Sequence, residues 1–145
     1  MTSVADTGFV VAMMNERDTW REACLSIYQQ ESTIFLPNST LTEIAYLLAR
    51  EGGNLHVANF LAKLPRMKFE IITLETTHFQ RTAELLRQYA DSRVDYVDAT
   101  VVAVAEQLQI TRVLTLDHRD FQIIRPRHCD YFELLPQKIN TPSNL

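Results

Sequence analysis

The sequence predicts an α/β fold, a three-layer α/β/α sandwich around a central, mostly parallel five-stranded sheet. Short runs of β-branched and aromatic residues alternate with longer segments whose apolar residues recur at helical spacing. That alternation implies crossover connections, hence parallel strands with helices on both faces. One helical segment, residues 96–109, is apolar nearly all round, the pattern of a buried helix.

Each element has a local reason. Ser3-Val4-Ala5 reads as a first strand ending at Asp6, and residues 7–15 follow as an apolar helix. Asp18 is a candidate cap for a second helix to about Glu31, with Trp20, Ala23, Cys24, Ile27 and Tyr28 on one face. Thr33-Ile34-Phe35-Leu36-Pro37 is the second strand. Asn38-Ser39-Thr40 then offers caps for a third helix, which Gly52-Gly53 ends. Residues 54–64 form a fourth helix stopped by Pro65. Phe69-Glu70-Ile71-Ile72 is the third strand, and residues 76–90 a helix that aligns Phe79, Ala83, Leu86 and Ala90. Residues 112–116 and 131–135 are the last two strands. The domain is expected to span 1–136, with a polar C-terminal tail over 137–145.

Composition bounds the function. At 145 residues the chain is one domain with a real core. No apolar run approaches the ~20 residues of a membrane helix. The N-terminus lacks the basic segment and cleavage site of a secretory signal, so the expected location is cytoplasmic. Three glycines leave no glycine-rich phosphate loop, and no GxSxG elbow occurs. Neither the two cysteines nor the four histidines have zinc-ligand spacing. A net charge of -4 runs against nucleic-acid binding unless an acidic metal site accounts for it.

Acids recur where such a fold gathers its ligands, beyond the carboxyl ends of the strands. Asp6 closes the first strand. Glu43 lies in the first turn of the helix after the second. Asp98 heads the buried helix, with Asp95 before it. Asp117 closes the fourth strand, and Asp120 follows. Singly, each has a plain role: Thr40-Leu41-Thr42-Glu43 fits a capping box, and Asp6, Asp95 and Asp98 could cap helices. Jointly they argue for more. No Lys or Arg lies in 97–108 to pair Asp98, and clustered carboxylates repel. A divalent cation removes that conflict, and hard oxygen donors select Mg²⁺, with Mn²⁺ as a possible substitute. Several acids and such a metal suit phosphodiester hydrolysis.

The ordered set Asp6-Thr7, Thr42-Glu43-Ile44, Val97-Asp98-Ala99-Thr100 and Leu114-Thr115-Leu116-Asp117-His118-Arg119-Asp120-Phe121 resembles the PIN domain. It is most similar to the small VapC-like toxins of type II toxin–antitoxin pairs. The likeness runs from Val4 to about Leu135. It implies a Mg²⁺-dependent endoribonuclease in which Asp6, Glu43, Asp98 and Asp117 are catalytic. Asp6, Asp98 and Asp117 would hold the metal, and Glu43 would orient or deprotonate the attacking water. Thr7 and Thr115 would be polar neighbours, and Asp95 a supporting or capping residue. Asp120 shares with Asp117 the claim to be the fourth acid. Arg112 and Arg119, with Arg125 and Arg127, are candidates for a basic rim that meets RNA, against a plain reading as solvated surface. The resemblance further implies a homodimer and a small antitoxin, with Met13, Met14, Trp20, Tyr28 and Phe60 as candidates for its groove and core packing as their default role. Two rivals stand beside this reading. One is a catalytically silent PIN-type protein-binding module. The other is a receiver-like phosphoacceptor domain, disfavoured because paired acids after the first strand and a strand-end lysine are missing.

Overall fold

The computed structural model describes residues 1–137. Strands β1 (Thr2–Ala5), β2 (Thr33–Pro37), β3 (Phe69–Ile72), β4 (Arg112–Leu114) and β5 (Glu133–Leu135) form one sheet in the order β3-β2-β1-β4-β5. Every neighbouring pair is parallel. The helices are α1 (Thr7–Met14), α2 (Arg21–Gln30), α3 (Ser39–Lys63), α4 (Thr76–Gln88), α5 (Tyr96–Leu108) and α6 (His118–Ile123).

The side-chain alternation of the strands divides the interior into two cores. Ala5, Ile34, Leu36 and Leu114 pack with Phe9, Met13, Cys24, Ile44 and Leu48 on the face covered by α1, α2 and α3. Val4 and Val113 pack with Leu85, Val101, Val102, Val104 and Phe121 on the face covered by α4, α5 and α6. This is the expected three-layer sandwich. Residues Val97 to Glu106 of α5 are all buried, as their all-round apolar pattern requires. Among the described residues, no helix is long and apolar enough to cross a membrane.

Several local expectations change. α2 begins at Arg21 rather than directly after a cap at Asp18, because Asp18 Oδ1 accepts from the Trp20 N–H at 2.7 Å and closes a turn before the helix. The expected break at Gly52-Gly53 is a kink. Gly53 sits at φ +69° between two helical stretches of α3, a conformation that costs glycine little. α4 ends at Gln88 and buries His78, Thr82 and Leu85, while Phe79 is 49% exposed. The buried stripe therefore runs through polar positions, one residue round from the apolar one read in the sequence. β4 stops at Leu114 and β5 starts only at Glu133. α6 was not anticipated. It is a short helix capped by Asp117, whose Oδ1 accepts from the Asp120 N–H at 3.3 Å. Of the tail at 137–145, all but Gln137 lies outside the described residues.

Candidate active site

The strand order reverses at β1, since β2 lies on one side of it and β4 on the other. The crevice beyond the carboxyl ends of β1 and β4 is where ligands bind in such sheets. A cavity of about 480 Å³ opens there, lined by Asp6, Glu43, Arg93, Asp95, Asp98 and Asp117, with Gly8 and Leu116.

Asp6 is placed by the ladder itself, since its N–H donates to the Leu114 carbonyl at 2.9 Å. Its Oδ1 accepts from the Thr7 N–H at 2.8 Å, and its Oδ2 accepts from the Thr115 hydroxyl at 3.0 Å. The Thr115 hydroxyl in turn accepts from the Asp117 N–H at 2.9 Å. Thr115 is thus a hydrogen-bonded neighbour of Asp6. The Thr7 hydroxyl donates to Glu43 Oε1 at 2.7 Å, which ties α3 to the start of α1.

Glu43 is the fifth residue of α3, past its first turn, and it does not close a capping box. The Thr40 hydroxyl donates instead to the Pro37 carbonyl at 2.7 Å. Asp95 does cap α5. Its Oδ1 accepts from the Asp98 N–H at 2.9 Å, while Asp98 Oδ2 accepts from the Asp95 N–H at 3.2 Å. The N-termini of α1 and α5 both face this crevice, and their positive ends favour the carboxylates gathered there.

Asp98, Asp117 and Asp120 each offer one oxygen, and the three lie within 4.8 Å of one another. Asp120, read in the sequence as an alternative to Asp117, therefore stands beside it. The cause is α6: its first turn folds Asp120 back over its own cap. Asp6 lines the same cavity, and its charge is felt at Asp98, but its oxygens are not in that tight trio.

The electrostatics are those of crowded, buried acids. Burial pushes Asp6 up to about 6, opposed by the Thr7 N–H and the Thr115 hydroxyl and reinforced by Glu43 and Asp95. Burial, then the charge of Asp6, pushes Asp98 up to about 8. Asp120 is raised as well, by burial and by its contact with Asp117. Arg93 is the cation on the cavity wall, and no salt bridge involving it occurs among the described residues. Three converging carboxylate oxygens, raised proton affinities at Asp98 and Asp120, and no paired cation among the described residues fit a hard divalent ion. Asp98, Asp117 and Asp120 would hold such an ion, with Asp6 adjoining.

The candidate basic residues separate. Arg112 starts β4, at the amino end of the sheet, away from the acids. Its guanidinium donates to Glu31 Oε1, and its Nη1 lies 3.0 Å from Glu133. The structure gives it a role in holding the fold and does not bring it to the site. Arg127 is likewise engaged, 2.6 Å from Glu84. Arg119 is exposed on α6, directly after Asp117 and His118. Sequence reasoning passed over Arg93, whose signal was its place in the short loop before the Asp95 cap. Of the candidate groove residues, Met13, Met14 and Phe60 line a cavity of about 550 Å³ beside α1 and α3. All five belong to or pack against the first core, with Met13 and Phe60 almost fully buried in it.

The family model described as PIN domain matches residues 3–125. The chain is 27% identical over 96 residues to Ribonuclease VapC26 of Mycobacterium tuberculosis (strain ATCC 25618 / H37Rv), a match covering 66% of this chain and 71% of that protein. Its fold is similar to that of VapC20, a Sarcin-Ricin loop cleaving toxin of Mycobacterium tuberculosis, with TM-score 0.70 and 20% identity over 77% of this chain and 86% of that one. It is also similar to a chain of a toxin–antitoxin complex from Klebsiella pneumoniae, with TM-score 0.67 and 17% identity over 84% and 92% of the two chains. A third similar structure is VapBC2 from Rickettsia felis bound to a DNA fragment from their promoter, with TM-score 0.63 and 18% identity over 92% and 98%. With the family model spanning both the acid-bearing strand ends and the helices between them, the chain belongs to the PIN domain family.

Proposed function

We propose that the protein is a Mg²⁺-dependent endoribonuclease, the toxin of a type II toxin–antitoxin pair, acting as a homodimer. The observation that carries this reading is the convergence of Asp6, Glu43, Asp98, Asp117 and Asp120 on one crevice, with no paired cation among the described residues. A ribonuclease relative and solved toxin–antitoxin neighbours support the substrate class and the partner. The functional domain is taken as residues 1–136, since β5 completes the sheet after the matched region ends.

Asp98, Asp117 and Asp120 would hold the ion, with Asp6 beside them. Bound there, it supplies a water of lowered pKa and offsets charge on a phosphoryl oxygen. Glu43 orients or deprotonates the attacking water. Its bond from Thr7 engages one carboxylate oxygen and fixes the plane in which the other meets that water. Thr115 keeps Asp6 oriented and favours its charged form. Mn²⁺ suits the same donors. The groove beside Met13, Met14 and Phe60 is the proposed seat of the antitoxin.

The test is cleavage of a mixed transfer and ribosomal RNA substrate by the purified protein, with Mg²⁺ and with EDTA. Cleavage that EDTA abolishes, and that Asp6→Asn lowers by roughly 100-fold or more, is the expected result. Equal cutting by a folded Asp6→Asn protein, or none by the wild type freed of any co-purified partner, overturns it.

A further inference from the structure

Helix α6 has two working faces. Asp120 turns towards Asp98 and Asp117. His118, Arg119, Gln122 and Arg125 instead line a groove of about 760 Å³, whose other wall includes Asp130, Tyr131 and Phe132. This groove and the acid cavity adjoin, because Leu116 and Asp117 line one and His118 and Arg119 the other.

Three properties say what would lie there. Its lining is mainly polar, as a surface that meets phosphates and bases requires. Its cations are available: among the described residues no salt bridge involves Arg119 or Arg125, whereas Arg81, Arg112 and Arg127 are held by glutamates. Arg125 donates one N–H to the Gln122 carbonyl at 2.8 Å, and its side chain is otherwise exposed. Asp130 is the opposing charge on the wall. Finally, Tyr131 is 74% exposed, the most exposed aromatic ring among the described residues. Cations beside an exposed ring form the combination that binds single-stranded nucleic acid, with phosphates on the guanidinium groups and a base on the ring.

We propose that this groove binds the single-stranded RNA segment flanking the scissile phosphate, with Arg119 and Arg125 on its phosphates and Tyr131 stacking a base. The proposal rests on the nuclease reading above for the choice of RNA. It also answers an electrostatic difficulty of that reading: a cluster of carboxylates repels RNA, so the adjoining phosphates need nearby cations.

The experiment measures binding of a short fluorescein-labelled single-stranded oligoribonucleotide by anisotropy in EDTA, where cleavage is not required. Tyr131→Ala should weaken binding roughly tenfold, and Tyr131→Phe should retain it. The double variant Arg119→Ala/Arg125→Ala should weaken it to a similar degree and lower the slope of log affinity against log salt by about 1.4, or 0.7 per phosphate. Unchanged affinity and slope in all of these folded variants would sink the proposal. So would variants that leave RNA binding intact but change self-association in sedimentation, which would make the groove a protein surface. Groove-dependent binding by a wild type that never cuts RNA in Mg²⁺ upholds the groove and overturns only the nuclease assignment.

Discussion

At the amino edge of the sheet Glu31 has a fully buried side chain, and Arg112 meets it, with Glu133 on the far side of the guanidinium. Glu106 is also buried there. Arg81 grips both of its oxygens, at 2.6 and 3.0 Å, and the Arg127 N–H adds a third bond at 2.7 Å. Burial alone would raise Glu106, yet these donors hold it below its ordinary value. At the carboxyl edge the same class of side chain is equally buried, and among the described residues it has no salt bridge. Asp6, Asp98 and Asp120 are all raised. One edge neutralises its acids within the chain, and the other leaves them for something outside it. The contrast separates buried acids that hold the fold from buried acids that await a ligand.

The largest expected effect lies on the paired edge. Arg112→Met strands the Glu31 charge and should cost about 3–5 kcal/mol in urea unfolding, while the double variant Arg112→Met/Glu31→Gln recovers most of it. If the single variant is neutral, the two edges do not differ. On the other edge the sign reverses. Asp98→Asn keeps an oxygen for the Asp95 N–H but removes a raised, repelled charge. It should therefore stabilise the metal-free protein at pH 8 by about 1–2 kcal/mol.

The pH dependence follows the same logic. Asp6 and Asp98 have folded values of about 6 and about 8, against 3.8 for the free side chain. Between pH ~4 and ~8 the folded protein keeps protons that the unfolded chain has released, so stability falls as pH rises through that window. In EDTA the melting temperature should drop by roughly 5 °C from pH 5 to pH 8, and Mg²⁺ should restore more of it at pH 8 than at pH 5. A melting temperature that rises over this range would contradict the contrast. The smallest effect is Arg127→Ala, since the Arg127–Glu84 pair is more than half exposed on both sides. It should change stability by less than about 1 kcal/mol.

Much of the carboxyl edge was legible in the sequence, because position along a strand fixes position at a sheet edge. Asp6 follows β1, and Asp98 opens α5, whose all-round apolar pattern already marked it as buried. Asp120 was harder to place. Its membership depends on α6, a helix of six residues too short to show a period. The pairing of Arg112 with Glu31 was not legible, since 81 positions separate them and their meeting depends on where β2 and β4 begin. The α4 face misled for another reason. Its buried stripe contains His78 and Thr82, and polarity hid it from a hydrophobicity pattern. His78 Nδ1 accepts from the Glu75 N–H at 3.0 Å, which makes its burial tolerable.

The hydroxyl of Thr115 has a further consequence. It receives a proton contact from the main chain at Asp117 and passes its own to Asp6, so the relay runs one way, from the α6 cap to the end of β1. A proton arriving on that oxygen of Asp6 would leave two donors facing each other, and the threonine would have to rotate away. Whatever charge β1 carries at its tip is thereby communicated to the loop that starts α6. Valine in place of Thr115 would keep the shape and silence that conversation.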